Sequence, residues 1–462
     1  MNLNNFLVSE DASLRTALSS IQSNQHGFIL TTTTTNAVIA LATDGDIRRK
    51  LIDGFSLDES ISLCANSNFF WASPDTPREI LLKRLDHKIR VIPILDKNRQ
   101  LVGIVTKDHL PSVDEEPVYA RARSPVRISF GGGGSDLTHY FANEGGAVIN
   151  TTISLYSHAT LRIRKDAKII IRSLDLGESM LAENLKLALK QKGRFGLILS
   201  LLRVINPDFG FELYLHSDYP MNSGLGGSAV VSAAVLGCFN QFRRDQWNSH
   251  ELAELAFQAE RLYFGVAGGW QDQYATVFGG FNFIEFGMDQ NIVHPLRINA
   301  DILLELEENL ILCDTGISHD SSEIHQDQRK EMQMENIRNM VKTNVELTYR
   351  IRNHLLRGRL LQFGQSIHEA WQLKRQFSSK ITNSRLDAIY NDAISSGVVG
   401  GKLLGAGGGG FFLFYVPPFR KLELMTSLKE KGLEIHTFRF VKEGLRAWKV
   451  RESRNYGENE DS

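Results

Sequence analysis

Pro220-Met-Asn-Ser-Gly-Leu-Gly-Gly-Ser-Ala-Val230 is the stretch on which the fold turns. It runs straight into Val231-Ser-Ala-Ala-Val-Leu-Gly-Cys238, so a glycine-rich turn bearing serine hydroxyls feeds a helix of small residues. The first-turn amides of such a helix lack intrahelical partners and point outward, where an anion can accept their hydrogen bonds. Glycines let the backbone approach a phosphate closely, and the hydroxyl of Ser228 is placed to reach a nucleotide-bound magnesium ion. No lysine follows the last glycine, so the run is not a Walker A loop. Taken alone, it fits a tight turn at a helix start as well as a phosphate cradle.

Working outward, other stretches share its character. Arg121-Ala-Arg-Ser-Pro-Val-Arg127-Ile-Ser-Phe-Gly131-Gly-Gly-Gly134-Ser135-Asp136 alternates like a strand over 126–130, and its four glycines cannot continue one. A strand ending in a concave loop with an aspartate suits a small polar ligand. Asn248 or Ser249 is placed to cap a helix from Glu251 to about Phe264, with Leu252, Leu255, Ala256, Ala259, Leu262 and Tyr263 on its apolar face. Glu260 falls at the edge of that face, where a carboxylate is costly unless it pairs with an arginine such as Arg261 or binds a metal. Gly265-Val-Ala-Gly268-Gly269-Trp-Gln-Asp272 reads as another helix start. Asp272 there either complements the helix dipole or, near Arg127, accepts a proton from a substrate hydroxyl. Gly401-Lys-Leu-Leu-Gly-Ala-Gly407-Gly408-Gly-Gly410 leads into the apolar run Phe411-Phe-Leu-Phe-Tyr415. Together these stretches read as parts of one pocket.

The remaining composition narrows the class. A chain of 462 residues with 42% hydrophobic and 23% charged residues is a globular protein of two or three domains. A net charge of −1 supplies no field to draw it to nucleic acid or an anionic membrane. Cys64, Cys238 and Cys313 follow no metal spacing and sit beside apolar residues, as buried small hydrophobes do. No apolar run is long enough to span a bilayer, and the N-terminus lacks a basic signal-peptide start, so a cytoplasmic enzyme is expected.

The first hundred residues repeat at an offset of 63. Ser13-Leu-Arg-Thr falls on Thr76-Pro-Arg-Glu79, Phe28-Ile-Leu on Val91-Ile-Pro, and Val38 to Thr43 on Leu101 to Thr106. Each unit reads helix, strand, turn, strand, threonine, helix, and Thr76 with Glu79 is expected to form a capping box. This pattern resembles a tandem CBS domain over 1–112. The resemblance implies that Thr43 and Asp46 bind the ribose of an adenine nucleotide. The second copy puts His109 where that aspartate belongs, and a neutral imidazole offers one acceptor where a carboxylate offers several. A purely architectural pair is the alternative. Residues 113–118 read as an acidic, proline-bracketed linker, and 453–462 as a frayed tail.

From about Tyr119 to Val450 the chain resembles GHMP-type small-molecule kinases, on Ser124-Pro-Val-Arg127, Pro220 to Ala229 and Leu404 to Gly410 in order. The variant Arg-Ile-Ser-Phe-Gly-Gly-Gly-Gly-Ser-Asp, with Gly-Gly-Trp-Gln-Asp, most resembles the heptose 7-phosphate kinase branch. The resemblance implies a mixed α+β chain: a CBS pair, then a two-lobed kinase fold divided into 119–295 and 296–452. It implies Asp272 as the catalytic carboxylate with Arg127 beside it, and Ser228 and Glu260 as magnesium ligands. Ser223, Gly224, Leu225, Gly226, Gly227 and Ser228 correspond to the ATP phosphate loop. Gly133, Gly134, Ser135, Asp136, Gly268, Gly269, Gly407 and Gly408 are expected around the substrate. Where galactokinases have a Glu-His pair this chain has Gly133-Gly134, which makes room for a bulkier sugar.

The implied reaction is transfer from Mg2+-ATP to the anomeric hydroxyl of a sugar phosphate, in nucleotide-activated heptose synthesis and in a homodimer. Arg194, Arg261, Lys374 and Arg375 are candidates for a second phosphate. Two other readings stay open: a kinase of the same fold for free fucose or an N-acetylhexosamine, and a non-catalytic adenine-nucleotide sensor.

Overall fold

A computed structural model describes residues 3–85, 89–107, 119–220, 223–317 and 321–451. The expected linker at 113–118, the tail at 453–462 and His109 lie outside these residues. The chain divides into two compact units, Met1–Asp114 and Glu115–Ser462.

In the first unit the strand Leu7–Ser9 runs parallel to Phe28–Thr32, which pairs antiparallel with Val38–Thr43. All five residues of Phe28–Thr32 are buried, as in a strand covered on both faces. The second copy repeats the pattern: Val91–Leu95 pairs antiparallel with Leu101–Thr106, and Ala72 bridges Ile94 in parallel. Phe28, Leu30 and Val38 of the first copy pack with Leu95 and Ile104 of the second, so the copies share a core. Ser13 caps the helix Leu14–Asn24 through its hydroxyl. The expected box at Thr76 does not form. The helix Arg78–Arg84 starts from an extended Pro77, which leaves Thr76 one residue too far out to reach the first-turn amides. Its hydroxyl instead accepts from Ser73 N at 3.1 Å, and Glu79 pairs with Lys83 at 2.5 Å.

The second unit is built on the strand Gly146–Ile163, which pairs antiparallel with Tyr119–Gly131, Phe281–Phe286 and Phe211–Ser217 within an eight-stranded sheet. The register against Tyr119–Gly131 shifts between Pro125 and Arg127, an irregularity of the kind that re-aims a side chain. The helix Gly227–Asn240 packs on these two long strands. It is buried almost all round, and its small residues permit the close approach; a Cβ at Gly237 would stand 2.8 Å from Leu445 Cδ1. Farther along the chain, Gly400–Leu403, Phe411–Tyr415, Leu310–Asp314 and Glu434–His436 make a four-stranded antiparallel sheet in that order. The helices Glu335–Leu356 and Leu360–Lys374 pack against each other, the latter also on Gly400–Leu403. Phe130, at the end of its strand, meets Phe363 with ring centroids 5.2 Å apart. That contact ties the two halves together just where the glycine loop begins.

Candidate active site

Arg127 emerges beside the register shift, and its guanidinium does two things. Nε donates to Asp272 Oδ1 at 2.8 Å, and Nη1 donates to the carbonyl of Gly224 at 2.9 Å. The side chain of Arg127 is 5% exposed and that of Asp272 26%. One cation thus links the first turn of the helix Gln271–Phe278 to the loop at 223–228. Gly226 caps the helix Gly227–Asn240 at φ +78°, a left-handed conformation that favours glycine. A Cβ there would also come 3.0 Å from Asp272 Oδ2. The glycine therefore serves the turn and the approach of the carboxylate together.

Glu260 corrects the expected helix. The regular helix ends at Gln258, and Ala259–Tyr263 is a π-turn in which Phe264 N bonds to Ala259 O. The wider turn rotates the following side chains about the axis. Leu262 and Tyr263, expected in the core, are 72% and 50% exposed, while Glu260 is buried at 1%. Glu260 Oε2 accepts from Gln273 Nε2 and lies 3.9 Å from Arg261 Nη2, with the Ser228 side chain close enough to favour its charged form. Oε1 is buried with no partner. Burial pushes the Glu260 pKa up, against the pull of Arg261. One hydroxyl and one carboxylate with an orphaned oxygen, close together beside the phosphate loop, fit a magnesium ion, which takes oxygen ligands and keeps sites for phosphate.

Asp136 also lines the cavity, close to Asp272, accepting from Gly134 N at 3.1 Å and Gln271 N at 3.3 Å. Burial, followed by the charge of Asp272, pushes its pKa up. A Cβ at Gly269 would stand only 1.9 Å from its Oδ2, so this second glycine stretch is glycine for contact with Asp136.

These residues surround a cavity of about 700 Å³. Arg127, Gly133, Gly134, Asp136, Ser223, Gly224, Gly226, Gly227, Ser228, Gly269 and Asp272 are all on its wall. Other expected residues are not. Leu225 is core, and Ser135 Oγ is spent holding the loop through Gly132 O at 2.7 Å and Ala147 O at 3.0 Å. Gly268 backs onto the Arg261 guanidinium, and Gly407 and Gly408 pack on Ile381, with Gly405 and Ala406 on the wall in their stead. Glu260 lies behind Ser228 rather than on the wall. Of the basic candidates, Arg194, Arg261 and Lys374 line the cavity, while Arg375 pairs with Asp387 at 2.5 Å. Sequence reasoning missed Lys402 and His325, both on the wall. A lysine inside the buried strand Gly400–Leu403 was the available signal for the first.

The loops at 223–228 and 404–410 approach each other backbone to backbone. Gly405 has φ +72°, and a Cβ on it would stand 2.7 Å from Gly224 O. Gly405→Ala is expected to cost about 1–3 kcal/mol of stability and to raise the KM for ATP, measured by urea unfolding and initial rates.

In the first unit, Thr43 and Asp46 bond each other rather than leaving free valences. Thr43 Oγ1 and N donate to Asp46 Oδ2 at 2.6 and 2.9 Å, and Asp46 N donates back to Thr43 Oγ1 at 3.2 Å, starting the helix Asp44–Ile52. Burial alone would raise the Asp46 pKa, but these bonds and Arg49 outweigh it and hold the pKa below its usual value. A ribose at this site would have to share Asp46 with the cap.

Comparison with known proteins matches this geometry to a family. The profile described as GHMP kinases N terminal domain matches residues 191–280, that described as GHMP kinases C terminal matches 352–430, and a CBS domain profile matches 60–112. A D-glycero-alpha-D-manno-heptose 7-phosphate kinase of Campylobacter jejuni is 35% identical over 336 residues, covering 71% of this chain and 99% of that protein. The L-fucokinase/L-fucose-1-P guanylyltransferase of Bacteroides fragilis is 28% identical, over 67% of this chain and 36% of its own length. The crystal structure of a D-glycero-D-manno-heptose 1-phosphate kinase from Bacteroides thetaiotaomicron superposes with a TM-score of 0.60 at 27% identity, covering 72% of this chain and 100% of that one.

Proposed function

We propose, since this chain belongs to the GHMP kinase family and is an ATP-dependent sugar kinase, that its acceptor is D-glycero-D-manno-heptose 7-phosphate, phosphorylated on the anomeric hydroxyl. The observation that carries this reading is the junction at Arg127: one guanidinium bonded to both Asp272 and the Gly224 carbonyl, with Asp136 on the wall of the same cavity, bonded to the amide of Gln271 beside Asp272. A phosphate loop, a carboxylate and a cation within one enclosure supply what in-line phosphoryl transfer needs, which is positioning and charge neutralisation.

In this reading the amides of Gly226 to Ser228, at the start of the helix Gly227–Asn240, hold the donor phosphates. Asp272 Oδ1 is occupied by Arg127, so Oδ2 faces the acceptor hydroxyl and takes its proton as the new O–P bond forms and the bond to the ADP oxygen breaks. Arg127 offsets charge on the transferring group. Ser228 and Glu260 would hold a magnesium ion, which supplies charge neutralisation for the donor phosphates. Asp136 positions the sugar through its hydroxyls, on the wall it shares with Gly133 and Gly134. Among the described residues no helix is long and apolar enough to cross a membrane, and a cytoplasmic location belongs to this reading.

Purified protein given Mg-ATP and a panel of free and 6- or 7-phosphorylated sugars tests it by ADP release. Heptose 7-phosphate is expected to give the highest kcat/KM. Turnover only on free fucose or N-acetylhexosamines would overturn the acceptor assignment, and turnover on nothing would favour the sensor.

A further inference from the structure

We propose that Lys374 and Lys402 form a buried binding site for the acceptor's own phosphate, and that this pair selects a phosphorylated sugar over a free one. The inference rests on the reading that the acceptor is a sugar phosphate, and names the residues that make it so.

Position comes first. Lys374 ends the helix Leu360–Lys374, and its Nζ donates to Gly405 O at 2.5 Å. The same ammonium lies 3.3 Å from the point where a Cβ on residue 133 would stand. Glycine at 133 therefore opens the space into which the ammonium looks, on the Asp136 side of the cavity. Lys402 belongs to the strand Gly400–Leu403 and lines the same cavity. The two lysines are only 5% and 4% exposed.

Charge comes second. An ammonium carries three donors, and Lys374 uses one of them on a protein atom. The Lys402 side chain makes no hydrogen bond or ion pair with any described residue. The carboxylates whose charge reaches Lys374 are Asp136 and Asp272. Asp272 is already committed to Arg127, and Asp136 to two amides, with its own burial favouring the neutral acid. The two lysines thus share an interior with the Asp272-paired Arg127 and have no dedicated counterion of their own, an arrangement that is costly until an anion arrives. Burial lowers the Lys374 pKa to about 8 and that of Lys402 well below its usual value, the latter pushed further by Lys374. A phosphate monoester dianion matches the missing charge. In the proposed reading the donor triphosphate has the amides of 226–228, Arg127 and a metal on Ser228 and Glu260, so the acceptor is the phosphate left to fill this site.

Lys374→Met and Lys402→Met remove the charge and keep an unbranched stem. Each is expected to raise the KM for heptose 7-phosphate on the order of 100-fold. The KM for ATP should stay within about threefold, and the preference for phosphorylated over free heptose should collapse. Equal losses on phosphorylated and free acceptors, or a raised KM for ATP, would assign the lysines to the transferred phosphoryl group and overturn the proposal. Inorganic phosphate titrated with saturating Mg-ADP present, read by thermal shift, tests the site whatever the true acceptor is. The apparent Kd for phosphate should rise at least about tenfold in each variant. An unchanged Kd would overturn the site even if the wild type prefers heptose 7-phosphate. A phosphate effect that the variants lose, in a protein that turns over no heptose 7-phosphate, would keep the site and discard that acceptor. Because the charges lack partners, the unliganded variants should melt no lower than wild type. Variants too unstable to purify would contradict the charge argument itself.

Discussion

Asp272→Asn is expected to lower kcat on the order of 100-fold or more, with less than about a threefold change in the KM for either substrate. The asymmetry follows from what the amide keeps. Asn retains the size of the side chain and an oxygen able to accept from Arg127 Nε, so the 2.8 Å contact and the link to Gly224 have no reason to break. What it loses is the negative charge and the ability to take the acceptor proton on the atom that faces Gly226. An effect confined to kcat marks an interaction made chiefly in the transition state, and isothermal titration with acceptor and a non-hydrolysable ATP analogue would show binding retained. Near-wild-type turnover would remove Asp272 from the chemistry and leave it a helix-dipole partner at the start of Gln271–Phe278.

Glu260→Gln is expected to move activity and stability in opposite directions. Turnover should fall on the order of 100-fold and the apparent KM for Mg-ATP should rise at least about tenfold if the carboxylate holds magnesium as proposed. The unliganded variant should nonetheless melt at or above the wild-type temperature. Its carboxylate is buried, with Oε1 unpartnered, and burial raises its folded pKa above the ordinary 4.5. A carboxyl with a raised folded pKa binds more protons folded than unfolded. Wild-type stability therefore falls as pH rises above about 4.5, until the folded pKa is passed. The amide carries no such penalty, so its melting curve should lose that dependence. Differential scanning fluorimetry across pH, with and without Mg-ATP, reads both effects. If the 3.9 Å contact with Arg261 were the purpose of Glu260, the variant would instead be destabilised and its magnesium dependence unchanged.

These two carboxylates differ in how far the sequence could carry them. The position of Asp272 was legible because it depends on features within a few residues: glycines before it, a helix start, a first-turn place. Glu260 was legible as an anomaly but misplaced. Regular helical periodicity put it at the edge of a face and put Leu262 and Tyr263 inside, whereas the π-turn at Ala259–Tyr263 turns Glu260 inward and the other two outward. Periodicity assumes a constant rotation per residue, and a π-turn is the place where that assumption fails. Thr76 failed for a similar reason, since an extended Pro77 displaced the helix start from the hydroxyl meant to cap it.

What the sequence by itself determined is the set of local conformations: the glycine turns, the helix starts, the paired repeat units, and the order of loops that identifies a kinase of this family. Such features are encoded within short windows, by glycine's access to positive φ and by side chains that cap their own backbone. What only the tertiary structure decided is which of those residues face one another. Arg127 meets Asp272 across 145 positions of chain, and Lys374 meets Gly405 across 31. Lys374 enters the cavity while its neighbour Arg375 turns to Asp387, and Gly405 lines the wall that Gly407 and Gly408 only support. Adjacent residues on a helix or loop point in different directions, so composition alone cannot say which one reaches a shared interior. That depends on how sheets and helices distant in sequence are packed, and on the charge left unpaired when they are.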